Sequence, residues 1–189
     1  YLDSTGELET IDQIDSFNLY NVYNIVPEYA KGYIGQDTFV INSQAKPISI
    51  FNNISAGRVE FDEVKLNVMI NNNVGANAIL QFNELNTDNT NDNLPPVNVN
   101  LDDNGNNVIN YPYLIDRATI SNDIISPSYT EIQIEASDMI EIFPNQANIG
   151  ATIILNPDGP QNLEDFIYID KPITASINAT IPLSFISEN

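Results

Sequence analysis

The sequence predicts an all-β protein: an antiparallel β-sandwich of the immunoglobulin-like or jelly-roll type, with about nine or ten strands. Three observations lead to this class. Apolar residues alternate with Thr, Ser and Asn from Ile173 to Phe185, as in a strand that buries one face. Turns rich in Asn, Gly and Pro recur along the chain. No segment sustains the 3.6-residue periodicity of a long helix.

The first 16 residues are acidic with few apolar side chains, so we interpret 1–16 as a linker or an N-terminal edge segment. Residues 17–189 are predicted to form a single β-sandwich domain, because a chain of this size can bury about 70% of its unfolded surface. The Asn-rich loop at 84–96 is the point at which the domain could divide. Because the sequence opens on Tyr1 rather than Met, we expect a processed product or a fragment.

The first strand signals come from apolar and aromatic residues. They are dense over 17–35, where Pro27 interrupts any helix or central strand. Two short strands are predicted at 38–41 and 48–51, joined around Pro47. The tyrosines within 17–35 have bulky rings with polar tips, which suit a sheet margin.

The second clear signal is the alternation over 64–70, which resumes over 76–83. Between them lie Asn71-Asn72-Asn73 and Gly75, residue types that tolerate positive φ. We therefore predict an antiparallel hairpin from these two strands. The polar stretch 84–96 that follows is predicted to be a surface loop.

Further short strands follow this loop. One is predicted at 97–101, and Asn104-Gly105 between apolar residues indicates a hairpin turn. Two more are predicted at 117–126 and 129–136, on either side of Pro127.

The last part of the chain contains the one predicted helical turn, at 137–144, with Ser137 as its N-cap and Pro144 as its end. A strand at 149–155 comes next. The long terminal strand at 173–185 is predicted to place its apolar face in the core.

The composition argues against several classes of function. Lys and Arg number 6 against 26 Asp and Glu, a net charge of −20, so we expect no binding to nucleic acid or to anionic lipid. The chain has no His and no Cys, which removes the usual general base, the nucleophilic dyads and the common zinc sites. No apolar run reaches the roughly 18 residues of a membrane-spanning helix. We therefore expect the protein not to be an enzyme.

Three stretches carry a resemblance to a known family: YAKGYIGQDTFVI with PISIFNNI, VEFDEVKLNVMINNNVGANAILQF, and MIEIFPNQANIGATIILNP with ITASINATIPLSF. Over residues 30–187 the chain resembles uncharacterised envelope or surface lipoproteins of Bacteroidota with LEA-like or immunoglobulin-like β-sandwich domains. The resemblance implies a surface location behind an N-terminal lipid-anchored Cys, and this sequence contains no Cys. The family has no assigned activity, so the resemblance implies no catalytic residue.

The strongest candidate for a cofactor site is a calcium site at the predicted hairpin turn. Carboxylate and amide oxygens at nearly alternate positions can surround Ca²⁺. The candidate ligands are Asp102, Asp103, Asn104 and Asn106. An EF-hand loop counted from the first of these needs Gly and Glu where Asn107 and Tyr113 stand, so the motif fails. The alternative is a solvated hairpin tip, and a similar choice arises for the loop at 88–92.

Two groups of side chains are candidates for contact with a partner. Four tyrosines could form a surface on which a sugar or a partner stacks, although packing at a sheet margin is the alternative: Tyr20, Tyr23, Tyr29 and Tyr33. Three isoleucines of the terminal strand could contact a neighbouring sheet, although the protein's own core is the alternative: Ile173, Ile177 and Ile181.

Other candidate sites are weaker. Acidic pairs within 60–63 or at Glu131 and Glu135 could be proposed for glycoside hydrolysis, but 26 acids make such pairs common by chance. Glycosylation sequons occur at Asn53 and Asn178.

We therefore predict a secreted or cell-surface β-sandwich, extracellular or associated with the outer membrane, that acts through protein–protein contact or self-assembly. A viral or phage capsid or tail protein is one alternative, and a module that binds a carbohydrate or an apolar ligand is another. Calcium is the possible cofactor.

Overall fold

The computed structural model describes residues 28–51, 63–122, 124–160 and 164–182. These residues form twelve strands and one short helix, so the predicted all-β class is confirmed. In chain order the elements are β1 (Tyr29–Lys31), β2 (Asp37–Pro47), β3 (Lys65–Asn72), β4 (Ala78–Asp88), β5 (Val97–Asn98), β6 (Tyr113–Ile115), β7 (Thr119–Ser121), β8 (Ile124–Ser126), β9 (Ser128–Glu135), α1 (Ser137–Glu141), β10 (Gln146–Leu155), β11 (Phe166–Tyr168) and β12 (Thr174–Thr180).

Two antiparallel sheets form the sandwich. The larger sheet has the order β2-β10-β4-β5, with β6 also paired to β4. The smaller sheet has the order β12-β3-β9. The pairs β1–β11 and β7–β8 form separate two-stranded sheets. In the described ranges, β2 and β12 are thus edge strands, each with one hydrogen-bonded neighbour.

The core lies between the inner faces of the two sheets. Alternate residues of β3, β4 and β9 point into it, which explains the period-two pattern of their sequences. The inward-facing residues include Val68, Ile70, Leu80, Phe82, Ile132 and Ile134. Met139 and Ile140 of α1 are buried in the same cluster. Burial of each such side chain stabilises the fold by about 1.5–3 kcal/mol.

The hairpin predicted from 64–70 and 76–83 does not form, because β3 and β4 belong to different sheets. The connection at 73–77 passes from the smaller sheet to the larger sheet, so the apolar faces of the two strands oppose each other across the core instead of lying side by side. Asn72, which is fully buried, stabilises this corner between β3 and β4. Its side-chain amide donates to the carbonyl oxygens of Ala76 (3.0 Å) and Asp116 (2.8 Å), and its Oδ1 accepts from the backbone N–H of Val74 (2.8 Å).

Three predicted boundaries are also wrong. The strands predicted at 38–41 and 48–51 are replaced by the single strand β2, which Pro47 ends. The strand predicted at 117–126 is the small hairpin of β7 and β8. The loop predicted at 84–96 starts later, because β4 continues to Asp88 opposite Gln146 of β10. Pairing with the distant strand β10 decides the first and third of these boundaries, and a local hairpin decides the second.

The predicted helical turn is confirmed as α1, but its cap is not the predicted one. The N-cap residue is Ala136, and no side chain caps the helix. Ser137 instead accepts a hydrogen bond from the backbone N–H of Val64 at 3.0 Å and donates to the carboxylate of Glu135. These contacts tie the start of α1 to the entry of β3.

The small β1–β11 sheet packs against one end of the sandwich. Phe166, the first residue of β11, is 1% exposed and packs against Gly75. The buried carboxylate of Asp165 accepts a hydrogen bond from the side chain of Asn156 at 2.9 Å and lies 3.6 Å from the guanidinium of Arg117. These contacts fix the point from which the chain turns into β12.

The terminal strand predicted at 173–185 is present as β12, and residues 183–185 lie outside the described residues. The expectation that its apolar face lies in the core is met only at its two ends, where Ile173 and Ile181 pack against the core cluster. All seven residues of β12 are exposed, because the strand lies at the edge of its sheet. The central strand of that sheet is β3.

Candidate functional site

The most exposed long strand is β2. All eleven of its residues are exposed, and β10 is its only partner among the described residues. Phe39 lies opposite Ile153 and Ile41 opposite Ala151, so both lie on the inner face of the larger sheet. They remain 51% and 48% exposed. The described part of the smaller sheet therefore does not extend far enough to cover β2.

The free edge of β2 carries little protection. Natural edge strands are commonly guarded by lysine or proline, which oppose pairing with another strand. Here both residue types stand at the very end of the strand, as Lys46 and Pro47. Val40 lies on the outer face and is 62% exposed. The pairing with β10 is irregular at Asn42 and Ser43, and the stretches on either side of this irregularity, 37–41 and 44–45, can accept another strand.

The other free edge belongs to β12, which carries one of the isoleucines predicted to contact a partner. Its inward-facing residues follow from its register with β3, where Ile177 lies opposite the buried Val68. Ile177 is 39% exposed. The three isoleucines are therefore placed along one side of the sandwich, with Ile173 and Ile181 partly buried and Ile177 open.

An apolar cleft of about 310 Å³ separates β12 from β10 on this side. Its walls are Ala147 and Ile149 of β10 and Ile177 and Ala179 of β12, and residues 48–51 close one end. Because β12 faces β10, no described strand of the smaller sheet faces β2. The two free edges and the cleft together form what we call the open side of the sandwich.

The predicted group of four tyrosines is only partly described. Tyr20 and Tyr23 lie outside the described residues, and Tyr33 lies beyond the end of β1. Tyr29 is 42% exposed, and its ring centroid lies 4.6 Å from that of Tyr168. Lys171 lies over the ring of Tyr168, 5.9 Å from its centroid. The local aromatic contact is thus formed with β11, by residues that the tyrosine prediction did not include.

A second exposed patch lies on the outer face of the smaller sheet. Tyr129 of β9 is 74% exposed and Met69 of β3 is 51% exposed. A shallow hollow of about 510 Å³ surrounds them, with Asn71, Glu131 and Ser176 at its margin. The patch combines an apolar platform with carboxylate, amide and hydroxyl groups.

The four candidate calcium ligands lie together at the tip of the 101–107 turn, where Asp102 is buried and organises the loop. Its Oδ1 accepts from the backbone N–H groups of Asn104 (3.0 Å) and Asn106 (2.8 Å). Its Oδ2 accepts from the amide of Asn106 (3.0 Å) and the hydroxyl of Tyr113 (3.1 Å). Asp103 faces Lys65, with 3.2 Å between Oδ2 and Nζ.

These contacts favour the ionised form of Asp102. Burial alone would raise the pKa of Asp102, but hydrogen bonds from Asn106, Tyr113 and Asn104 together outweigh burial, so its pKa lies below the ordinary value. Burial and the neighbouring Asp102 raise the pKa of Tyr113. A calcium ion would have to displace hydrogen bonds that already use both oxygens of Asp102. The calcium site stays a prediction.

The other acidic candidates are spread over the surface. Glu131 and Glu135 lie on the outer face of β9, where Glu131 accepts from Gln133 and Glu135 from Ser137. Residues 60–62 lie outside the described residues. In the described ranges, no group of three or more Asp, Glu, His or Cys residues could hold a metal ion.

The sequence analysis did not predict that β2 is a long, exposed edge strand. The signal available was the Phe39-Val40-Ile41 run with Lys46-Pro47 further along the same stretch, since Lys and Pro are typical of an edge strand. The prediction instead ended the strand at Ile41 and placed a second strand after Pro47, which hid the length of β2.

No protein-family model matches the chain, and no curated protein or solved structure matches it. Within the described ranges, none of the helical residues form a span long and apolar enough to cross a membrane. Function must therefore be inferred from the geometry of the open side and of the exposed patches.

Proposed function

We propose that this protein is a non-enzymatic β-sandwich, secreted or exposed at the cell surface, that acts through protein–protein contact, and that a partner adds a strand to the free edge of β2. The observation that carries the proposal is the eleven-residue edge strand, exposed over its whole length. Such an edge offers a row of unpaired backbone N–H and C=O groups to an incoming strand. The contact would extend the larger sheet into the partner.

The side chains of β2 also favour the addition of a partner strand to its edge. Val40, on the outer face, offers apolar area next to the free backbone edge, and a β-branched residue packs well against a neighbouring strand. The polar residue Asn42 follows it, so a matching strand needs both apolar and hydrogen-bonding side chains. A second copy of the chain is the simplest partner to test.

The test places a charge on this edge without altering the core. Val40→Lys should weaken association of the full chain at least tenfold in sedimentation and native mass spectrometry, because an edge lysine opposes strand addition. Met69→Lys is the matched control, since Met69 is similarly exposed but lies on the central strand β3. Equal association of the wild type and Val40→Lys, with both proteins folded, would contradict the proposal.

A second candidate function is favoured by the exposed Tyr129. Aromatic rings that stand beside carboxylate and hydroxyl groups can bind carbohydrate by stacking and hydrogen bonding. Retardation of the protein in gels that contain soluble polysaccharides would reveal such binding. Tyr129→Ala should abolish it, whereas Tyr111→Ala, on another surface, should not.

A further inference from the structure

β2 contains a bulge that its neighbours hold in place. It has two residues, Asn42 and Ser43, where β10 has only Gly150. Ser43 packs closely here, since a Cβ on Gly150 would lie 3.3 Å from the backbone nitrogen of Ser43. The hydroxyl of Ser43 also donates to the carboxylate of Glu84, which lies on β4 beside Gly150, and this contact lowers the pKa of Glu84. The bulge therefore divides β2 into two regular halves in a fixed relation.

The bulge places the two charged residues of β2 on one face. Asp37 and Phe39 both point to the inner face before the bulge, because side chains two positions apart share a face. Beyond the bulge, Gln44 lies opposite Ile149, which packs against the core, so Gln44 and Lys46 also point to the inner face. In a regular strand Asp37 and Lys46 would lie on opposite faces, because an odd number of positions separates them.

We propose that the strand that adds to β2 is β2 of a second copy of this chain, antiparallel, with Asp37 opposite the partner's Lys46. This inference rests on the function proposed above and names the partner and the register for the same edge. A two-fold axis perpendicular to the sheet relates the copies, so the charge pair occurs twice, once at each end of the contact. The two larger sheets then form one continuous sheet, with their inner faces on the same side.

Charge complementarity supports this partner. Asp37 and Lys46 are both exposed, and neither forms an ion pair with another residue of the described ranges. Lys46 Nζ donates to Oε1 of Gln44 at 3.1 Å, an exposed contact that an acidic group can replace. An edge lysine opposes an incoming strand unless an acidic residue faces it, and β2 carries such a residue at its other end. Exposed ion pairs of this kind add little affinity but favour one partner and one register.

The neighbouring registers fit less well. A shift of one residue would set inner-face side chains opposite outer-face ones. A shift of two residues in one direction sets Lys46 opposite the partner's Phe39 and brings Pro47 into the ladder, where it has no N–H to donate. The same shift in the other direction takes Lys46 beyond the end of the partner's β2. In the proposed register the paired residues run from Asp37 to Lys46, and Pro47 lies just outside them.

The exposed apolar side chains of β2 lie near the two-fold axis in this register. The axis passes between Ile41 and Asn42, so Phe39 and Ile41 of the two copies meet around it on the inner face. These two side chains are 51% and 48% exposed, and burial of their apolar area favours association. Val40 lies close to the axis on the outer face. The contact therefore has an apolar centre and a charge pair at each end.

Exchanged charges test the register. Asp37→Lys gives β2 a lysine at both ends, and Lys46→Asp gives it an acid at both ends. Each variant alone would set like charges opposite each other twice, so we expect its self-association to be at least tenfold weaker than that of the wild type. In an equal mixture the opposite-charge pairs are restored between the two variants. Sedimentation of the full chains at low salt, where exposed charges are least screened, should show that the mixture associates about as well as the wild type.

Net charge alone would give a different pattern. The wild type has a net charge of −20, and replacing an acid by a base or a base by an acid changes it by two, to −18 in Asp37→Lys and −22 in Lys46→Asp. General repulsion would strengthen association of the first variant and weaken that of the second, whereas the proposed pairing weakens both. Glu131→Lys is the matched control, since it has the same net charge as Asp37→Lys and lies on the exposed outer face of β9. It should not weaken association.

Failure of the register and failure of the proposed function give different results. A mixture that associates no better than its two components would overturn the register, whereas strand addition would still stand if Val40→Lys weakens association of the wild type. A wild type that remains monomeric at its highest soluble concentration would overturn the second copy as the partner.

Introduced cysteines measure the register directly, because the natural chain contains no Cys. In the proposed register Thr38 lies opposite the partner's Ala45 on the outer face, with Cβ atoms about 4.5–5.5 Å apart, close enough for a disulfide after small adjustment. Oxidation of a mixture of Thr38→Cys and Ala45→Cys should therefore join the two variants, and neither should cross-link to itself. A disulfide that joins Ala45→Cys to Val40→Cys instead would show the register shifted by two residues and would overturn the proposal.

Discussion

The hydroxyl of Tyr113 donates a hydrogen bond of 3.1 Å to Oδ2 of Asp102, which precedes it by 11 residues. Both residues are buried, so this contact joins the 101–107 turn to β6 inside the protein. The ring of Tyr113 also meets that of Phe82 edge to face, with centroids 6.2 Å apart. A loop that resembles a cation site in sequence is thus part of the packing of the larger sheet.

Removal of this hydrogen bond should lower stability. In Tyr113→Phe the ring remains but Asp102 loses one of its four donors, and hydrogen bonds to charged groups are worth about 1.5–3 kcal/mol. Urea unfolding would measure the change in the free energy of unfolding. Tyr111→Phe serves as the control, because Tyr111 is partly exposed, and its expected loss is under about 0.5 kcal/mol. Equal losses in the two variants would show that the Asp102 contact is not responsible.

The 101–107 turn should also make the free energy of unfolding depend on pH. Because the folded pKa of Asp102 is depressed, its contribution is complete above the unfolded value of about 3.9 and is lost as the pH falls through the folded value. We expect Asp102→Asn to be less stable than the wild type at pH 7. The difference should begin to shrink at about pH 4, where this carboxyl becomes protonated in the unfolded chain, and should shrink further until the pH passes below the folded value. Urea unfolding at several pH values measures it, and a difference that does not vary with pH would contradict the assignment.

Calcium should have little effect on the folded protein. Both oxygens of Asp102 already accept two hydrogen bonds each, and Asp103 forms an ion pair with Lys65. We expect the melting temperature to stay unchanged when millimolar Ca²⁺ is added or removed by a chelator. A rise with Ca²⁺ that disappears in Asp102→Asn would establish the calcium site instead.

The corner between β3 and β4 depends on a glycine. A Cβ on Gly75 would lie 2.3 Å from Cδ1 of Phe166, so Gly75→Ala must displace a side chain that is 1% exposed. Overpacking of this kind costs about 1–3 kcal/mol. Thermal or urea unfolding would measure it.

A double-mutant cycle isolates the contact itself. In a Phe166→Leu background the added methyl group has more room, so Gly75→Ala should cost at least about 0.5 kcal/mol less than in the wild type. Additive losses would show that Phe166 is not the obstacle.

Local sequence was sufficient to predict the strands that bury one face. The alternation in β3, β4 and β10 reflects a side-chain period of two, which depends on no distant contact. The same reasoning failed at the turn after Asn71, because the choice between a hairpin and a crossing depends on the contact from Asn72 to Asp116, 44 residues away. The sequence around Asn72 does not indicate its contact with Asp116.

The candidate surface was harder to predict than the fold. Gln44 belongs to β2 because the strand resumes its pairing with β10 beyond the register shift at Asn42 and Ser43, although its own side chain gives no strand signal. The exposure of Phe39 depends on how many strands the opposite sheet has, which is a property of topology. The terminal isoleucines were recognised by their alternation, but the edge position of β12 was not.

Away from the open side, we expect substitution of the buried Asn72 to cause a large loss in the free energy of unfolding. In Asn72→Asp the two hydrogen bonds donated to Ala76 and Asp116 are lost, and a carboxylate is placed where no solvent reaches it. A buried polar network broken in this way should cost about 3 kcal/mol or more in the free energy of unfolding. The neighbouring Asn73→Asp is the control, since Asn73 makes one exposed hydrogen bond, to Pro172, and should lose under about 1 kcal/mol. If urea unfolding gives equal losses for the two variants, the corner is held by the packing of Phe166 on Gly75 and not by the Asn72 amide.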